Sequence, residues 1–261
     1  MKEIGQLIDN LHLEDLSNAS HPSIFNENEE YDMLIVRLPV IGEKLDAKSV
    51  GFLLSDTNSY TYNTDNNTFE ELSSKFEGPY KIIDKLTDGV LKSFVKYQDK
   101  IADMEESLYE ERVKEDFMHQ WLNLKLEISR IERILLRTAS TIDEFMQYFK
   151  DTQDFPINSY IDIHEHLERT MRSATLQLSK LDHLYSFYSA KSNEKMNRLI
   201  YILTIISAIF LPLNLVVGFF GMNTGNLPFS QEPSGTLAAA SIMVSLFIVT
   251  SLIVYKWQKK V

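Results

Sequence analysis

Two long runs of uncharged, apolar residues lie near the end of the chain. Residues 199–220 (LIYILTIISAIFLPLNLVVGFF) and 237–255 (LAAASIMVSLFIVTSLIVY) contain no charged side chain. At ~1.5 Å rise per residue, a helix of either length roughly spans a hydrocarbon core of ~30 Å. A buried helix of a soluble protein is the alternative, but two such runs separated by a polar loop favour membrane spans.

The chain before these runs has the patterns of a soluble α+β fold. Runs rich in branched and aromatic side chains predict three strands, at residues 32–39, 49–56 and 59–63. The turn at residues 56–58 (DTN) predicts that the last two strands form a hairpin. Apolar residues then recur at helical spacing over residues 79–108 and 117–149, which predicts two helices.

A third helical pattern is far longer. It follows the break at residues 152–158, and from Ser159 to Met222 it contains one proline, Pro212, and no glycine before Gly218. The pattern enters the first span without a turn signal, so it predicts one helix of about 60 residues, roughly 90–95 Å long. Such a helix is typical of a stalk that enters a bilayer, although a coiled-coil tether has the same pattern.

The predicted fold is thus an α+β cytoplasmic domain, a small sheet with helices, followed by a very long stalk helix and two C-terminal transmembrane helices. The predicted parts are an N-terminal α/β part (residues 1–78), a helical hairpin (79–157), the stalk (158–198), the first span (199–223), an external loop (224–235), the second span (236–256) and a cytoplasmic tail (257–261).

Charge is distributed very unevenly along the chain. The first 195 residues carry 36 of the 37 acidic and 22 of the 26 basic residues, a net charge of −14. An acidic soluble part argues against nucleic acid as a partner, since nucleic-acid binding requires a basic surface. The chain has no cysteine, which excludes disulfides and thiolate metal sites. Its first 16 residues lack the pattern of a secretory signal.

The flanking charges predict the orientation of the two spans. Lys191, Lys195 and Arg198 precede the first span, the segment 256–260 after the second has three lysines, and the loop at residues 224–234 has no basic residue. The positive-inside rule therefore places both termini in the cytoplasm and the loop outside, in a multi-pass protein of the cell inner (plasma) membrane.

The first span contains a polar stripe. Its residues are spaced seven apart in two sets, Asn197, Thr204, Leu211 and Gly218, and Ile200, Ser207, Asn214 and Gly221. Because unsatisfied polar groups are costly in hydrocarbon, the stripe favours a face directed at other subunits or water. Helix packing through Ser, Thr and Asn hydrogen bonds is the simpler explanation, and the stripe alone does not decide between them.

The residues that end this span resemble the membrane signature of the CorA magnesium-transporter family. The matching residues are Pro212-Leu213-Asn214 and Gly218-Phe219-Phe220-Gly221-Met222-Asn223, since Gly-Met-Asn ends the first of two C-terminal spans in that family. Residues 160–166 (YIDIHEH) resemble a family segment at the start of the stalk helix. The resemblance is close over residues 159–261 and architectural over residues 1–158.

The resemblance implies a funnel-shaped homopentameric channel in the lipid bilayer, with no cofactor and with divalent cations as the transported species. Gly221, Met222 and Asn223 would form the external selectivity filter for hydrated Mg2+, with Co2+ and Ni2+ as further cations. The implied pore-lining residues are Asn197, Ile200, Leu203, Thr204, Ser207, Leu211, Asn214 and Gly218. Ile200, Leu203 and Leu211 would be apolar constrictions.

A regulatory metal site and two rival functions remain open. Asp162, Glu165 and Asp182 are candidate metal ligands on the stalk. Asp182 lies one turn before Ser186, and some family members have a regulatory aspartate at the position of Ser186. The loop lacks the acidic residue common after its proline, as in the zinc-transporting ZntB branch, so zinc transport is an alternative. The other is a membrane-tethered coiled-coil protein that conducts nothing. No catalytic motif is present, so no enzyme is predicted.

Overall fold

The computed structural model describes residues 8–64, 66–110, 112–113, 115–222 and 234–258, with side chains described as far as Lys256. The chain divides into two compact units, Met1–Ser186 and Phe187–Val261. Each unit is described by itself below, and the seven-part division made from the sequence stays a prediction.

Five antiparallel strands form the sheet of the first unit, in the same order in space as in sequence. They are β1 (Ile24–Asn26), β2 (Asp32–Ile41), β3 (Leu45–Leu54), β4 (Ser59–Asn63) and β5 (Thr68–Glu71). Leu54 pairs with Ser59 across the β3–β4 turn, which confirms the predicted hairpin. The sequence pattern does not predict β1 or β5, because strands of three and four residues are too short to display a period.

The described helices are α1 (Asn10–Ser17), α2 (Glu77–Tyr109), α3 (Phe117–Phe149), α4 (Ile157–Phe220) and α5 (Gly235–Gln258). α3 has the predicted bounds. α4 has 64 residues with Pro212 inside it, which confirms the predicted long helix. α1 is not predicted, because its eight residues show little periodicity; the Asp9 side chain caps it by accepting a hydrogen bond from the Leu11 amide at 2.9 Å.

The core of the first unit lies where the sheet meets α2 and α3. β2 is buried along most of its length because both of these helices contact it. At the α3–α4 connection, the rings of Phe145 and Phe155 contact the ring of Tyr160, the first buried residue of α4, and the Phe149 ring contacts both phenylalanines. Tyr160 is 0% exposed and its hydroxyl donates a hydrogen bond to the Phe76 carbonyl at 2.8 Å. This aromatic cluster fixes where the long helix begins.

The second unit contains the C-terminal part of α4 and all of α5. Both helices contain stretches long and apolar enough to cross a membrane, and none of the residues in those stretches is buried within the chain. This exposure is expected of helices that a bilayer or other subunits cover, since a soluble protein would bury such surfaces in its own core.

Candidate ion pathway and metal cluster

All eight predicted pore-lining residues lie on α4, and the structure leaves all of them exposed within the single chain. At 3.6 residues per turn, they fall within about 120° of the helix circumference. Leu203 and Leu211 are 63% and 69% exposed, which is unusual for leucines unless something outside the chain covers them. The eight residues therefore lie within the exposed surface of α4, which we call its open face.

A different face of the same helix segment is partly buried. Its residues are Ile205, Ile209, Pro212, Leu213, Val216 and Phe220. By the same helical geometry this face is centred about 170° away from the predicted pore face. Partly buried residues of α5 also recur at helical spacing, from Ala238 and Ala239 through Met243 and Leu246 to Thr250. Each helix thus has one partly covered face, and on α4 it is opposite the polar stripe.

The polar side chains of the stripe differ in how they are satisfied. The Thr204 hydroxyl donates to the Ile200 carbonyl at 2.8 Å, so it makes its hydrogen bond within the helix. The Asn214 amide makes no hydrogen bond with the described residues. Because an amide has two donors and an acceptor, Asn214 requires water or another copy of the chain.

The two glycines at the end of α4 are not explained by backbone conformation, because no described glycine has a positive φ angle. A Cβ atom added at Gly218 would meet no heavy atom within 4 Å, whereas one added at Gly221 would lie 3.0 Å from the Val217 carbonyl oxygen. Gly221 is therefore confined by its own helix, and its amide donates to that carbonyl at 2.8 Å. At Gly218, by contrast, the rest of the chain leaves space for a Cβ atom.

The predicted filter lies only partly within the described residues. Gly221 and Met222 follow the last turn of α4, and the Met222 amide donates to the Phe219 carbonyl at 3.4 Å. Asn223 lies outside the described residues, as does the loop segment 224–233.

In the first unit, α2 and α4 bring three potential metal ligands together. One ligand atom from each of Asp84, Asp162 and His166 lies within 4.8 Å of the others. The Nε2 atom of His166 is 3.7 Å from Oδ1 of Asp162, and its Nδ1 atom is 3.7 Å from Oδ1 of Asp88. That Nδ1 atom is buried and makes no hydrogen bond with the described residues. We call Asp84, Asp162 and His166 the stalk cluster.

Helical spacing produces the stalk cluster. Asp84 and Asp88 are one turn apart on α2, next to the buried Ile83 and Thr87, and Asp162 and His166 are one turn apart on α4. Partial burial raises the pKa of the Asp84 carboxyl, and the negative charges of Asp88 and Asp162 raise it further. The hydrogen bond and positive charge of Lys92 instead lower the pKa of Asp88.

The structure assigns different environments to the three predicted regulatory residues. Asp162 belongs to the stalk cluster. Glu165 is exposed and is not a member, and Asp182 forms an ion pair with Lys125 of α3 at 2.5 Å. Asp84 and His166 were not predicted as ligands, because Asp84 is 78 residues away from Asp162 in sequence. The signal that could have identified Asp84 is its spacing: Asp84 and Asp88 are one turn apart on α2, beside buried positions of that helix.

Almost the whole chain matches one family model. The family model described as "CorA-like Mg2+ transporter protein" matches residues 5–257. The chain belongs to this CorA-like family. The resemblance inferred from the Gly221-Met222-Asn223 signature is therefore confirmed, and the chain is grouped with transporters rather than enzymes.

Individual relatives of this CorA-like chain differ in the metals that their names state. The "Cobalt/magnesium transport protein CorA" of Thermotoga maritima is 29% identical over 69% of this chain and 51% of the relative. The "Zinc transport protein ZntB" of Yersinia enterocolitica is 24% identical over 64% of this chain and 50% of the relative. In these two matches the chain spans about half the length of the curated relatives.

A solved structure supports the fold of the CorA-like chain over almost its whole length. "The complete structure of CorA magnesium transporter from Methanocaldococcus jannaschii" superposes with a TM-score of 0.76 and 16% identity, covering 96% of this chain and 84% of that one. This likeness confirms the predicted architecture of a small sheet with helices, a very long helix and a further C-terminal apolar helix.

Proposed function

We propose that this CorA-like chain is a divalent-cation transporter that conducts Mg2+ through a homopentameric pore lined by α4. The observation that carries the proposal is the open face of α4, which holds the polar stripe opposite the partly buried face. Copies of the chain placed around a common axis would cover this face and leave Asn214 in contact with water.

The residues of the open face have complementary roles in this proposal. Asn214, Ser207 and the backbone carbonyls near Pro212 supply neutral oxygen atoms, which suit a cation that keeps its water shell, as Mg2+ tends to do. Ile200, Leu203 and Leu211 form apolar constrictions that close the pore by excluding water. Gly221, Met222 and Asn223 form the external filter. The chain lies in the inner membrane of the cell, and both of its termini face the cytoplasm.

The stalk cluster serves as a regulatory metal site in this proposal. Its two carboxylates and one imidazole fit a divalent cation, and the imidazole favours Co2+, Ni2+ or Zn2+ over Mg2+. The buried Nδ1 atom of His166, without a hydrogen-bond partner among the described residues, supports an imidazole that is available for such binding. A cation there would bridge α2 and α4 and relieve the repulsion between Asp84 and Asp162.

Metal flux into liposomes tests the transport proposal. Purified protein is reconstituted, a gradient of Mg2+, Co2+, Ni2+ or Zn2+ is applied, and entry is followed with a trapped metal-sensitive dye. We expect Mg2+ entry through wild type, and altered selectivity in Asn223→Ala because an amide oxygen at the filter is removed.

Each alternative function has its own outcome in this experiment. Zn2+ entry without Mg2+ entry would support the ZntB-like alternative. Absence of entry for all four metals would contradict transport and support a non-conducting tether. Unchanged selectivity in Asn223→Ala would remove that side chain from the filter.

Replacing Asp84 should change the stability of the protein in opposite directions without and with bound metal. A carboxyl with a raised pKa contributes stability below its ordinary pKa, and this stability is lost as pH rises through the raised value. At neutral pH, ionised Asp84 therefore destabilises the metal-free protein. We expect Asp84→Asn to raise the melting temperature in EDTA and to remove the stabilisation by Co2+, which is about 2.7 kcal/mol at 100 times Kd.

Asp99→Asn is the matched control, because Asp99 is an exposed aspartate of α2 outside the stalk cluster. It should keep the full Co2+ stabilisation. The stabilisation should also weaken as pH falls, since protons compete with Co2+ for Asp84. Equal Co2+ stabilisation of Asp84→Asn and wild type would show that the cluster holds no metal.

A further inference from the structure

Four arginines line one shallow groove of the first unit. Arg37 comes from β2, and Arg130, Arg133 and Arg137 come from one face of α3, at spacings of three and four residues. Pro22, Ser23 and Ile134 complete the wall, and the groove encloses about 280 Å³. These residues are called the arginine groove. It shares no residue with the stalk cluster or with the proposed pore.

The arginine groove is an exception in an acidic protein. The chain has a net charge of −11 and only eight arginines, so half of its guanidinium groups are at this one place. None of the four lies within 4.0 Å of a carboxylate among the described residues, whereas Arg172 is paired with Glu168 at 2.9 Å. Like charges one turn apart on a helix repel each other, and no described carboxylate within 4.0 Å relieves this repulsion, so an anionic ligand would be favoured here.

A buried hydrogen-bond network holds the groove in place. The Ser23 hydroxyl accepts a hydrogen bond from the Arg37 amide at 2.8 Å and contacts the Thr138 hydroxyl at 2.8 Å, and Thr138 donates to the Arg37 carbonyl at 2.6 Å. Ser23 and Thr138 are at most 1% exposed, which strengthens these bonds. The network ties β2 and α3 to the segment before β1.

Two of the guanidinium groups are oriented by backbone carbonyls. Nε of Arg137 donates to the Ser23 carbonyl at 2.9 Å, and Nη1 of Arg37 donates to the Ser20 carbonyl at 2.5 Å. Nε of Arg37 is buried and makes no hydrogen bond with the described residues. Arg130 and Arg133 are exposed, and their side chains make no hydrogen bonds with the described residues. Many of the donors around the groove are therefore free for a ligand.

We propose that the arginine groove binds a phosphate-bearing small molecule. Guanidinium groups match phosphate oxygens through paired hydrogen bonds, and several arginines at one place suit a ligand with more than one negative charge. At about 280 Å³, the groove has room for a diphosphate group. Because Arg37 and Arg137 are already oriented, binding has to order only Arg130 and Arg133 among the four arginines, which lowers its entropic cost.

Binding of pyrophosphate to the full-length protein in detergent tests this proposal. The titration is done calorimetrically in metal-free buffer, because pyrophosphate chelates divalent cations. We expect saturable binding by wild type and at least about tenfold weaker binding by Arg130→Gln and Arg133→Gln, since each removes a charged hydrogen-bond donor. Both side chains are exposed and unbonded to described residues, so these variants should fold normally.

Arg169→Gln is the matched control, because Arg169 is an exposed arginine of α4 that does not line the groove. It should bind pyrophosphate as wild type does. An equal loss in Arg169→Gln would show that only net charge matters and would overturn the proposal, as would absence of binding by wild type. A change of oligomer size in Arg133→Gln, without pyrophosphate binding by wild type, would instead make the groove a contact between copies.

Discussion

Gly218→Val is expected to reduce cation flux at least tenfold while leaving the fold of the chain intact. A barrier higher by only about 1.4 kcal/mol is enough for a tenfold decrease in rate. Within one chain the added Cβ meets no heavy atom within 4 Å, and valine is no worse than glycine in a helix. In the proposed assembly, each copy would add an isopropyl group to the face of α4 that lines the pore.

The measurement is liposome flux of Mg2+ together with the oligomer size and helical content of the purified variant. Ala240→Val is the matched control, since it places the same isopropyl side chain at an exposed small residue of α5. We expect this control to conduct like wild type. Normal flux through Gly218→Val would place residue 218 away from the ion pathway and would contradict the pore assignment.

Tyr160→Ala is expected to destabilise the first unit by about 3–5 kcal/mol, the typical cost of removing a large buried aromatic side chain. Tyr160 is 0% exposed, and its ring stacks on Phe155 with 5.2 Å between the ring centroids. The loss would leave a cavity where α4 begins. Urea unfolding, followed by the fluorescence of Trp121, measures the change in the free energy of unfolding. All variants carry Trp257→Phe, so that Trp121 is the only source of tryptophan fluorescence.

Tyr160→Phe separates the ring from its hydroxyl. We expect a cost of about 0.5–1.5 kcal/mol, the net value of one hydrogen bond. The cost stays small because the Phe76 carbonyl also accepts a hydrogen bond from the Tyr80 amide at 3.2 Å. Equal destabilisation by both variants would mean that the hydrogen bond, rather than the packing of the ring, holds the aromatic cluster together.

The sequence predicts best where a pattern repeats many times. α3 begins and ends at the predicted residues because its 33 residues contain nine helical turns of apolar periodicity. The β4–β5 hairpin is not predicted, although its turn contains Asn67 at φ 51°, a conformation that asparagine tolerates better than most residues. A strand of four residues with one apolar side chain gives too little pattern to recognise.

The candidate sites also differ in how far the sequence alone predicts them. The polar stripe could be read from the sequence because all its residues lie on one helix, whose period fixes which of them share a face. The stalk cluster could be read only in part. Asp162 and His166 are visible as neighbours on α4, but Asp84 joins them only because α2 packs beside α4 in the folded chain.

By itself, the sequence determined the two apolar helices, the length of α4, the stripe along it and the CorA-like signature at its end. These features depend on residue type and local period, which a linear chain specifies completely. Tertiary structure alone decided which face of α4 is left open, and it brought Asp84 to His166 and Arg37 to the arginines of α3. Such pairings depend on how separate elements pack, and the proximity of residues 82 to 100 positions apart leaves no periodic trace in one sequence.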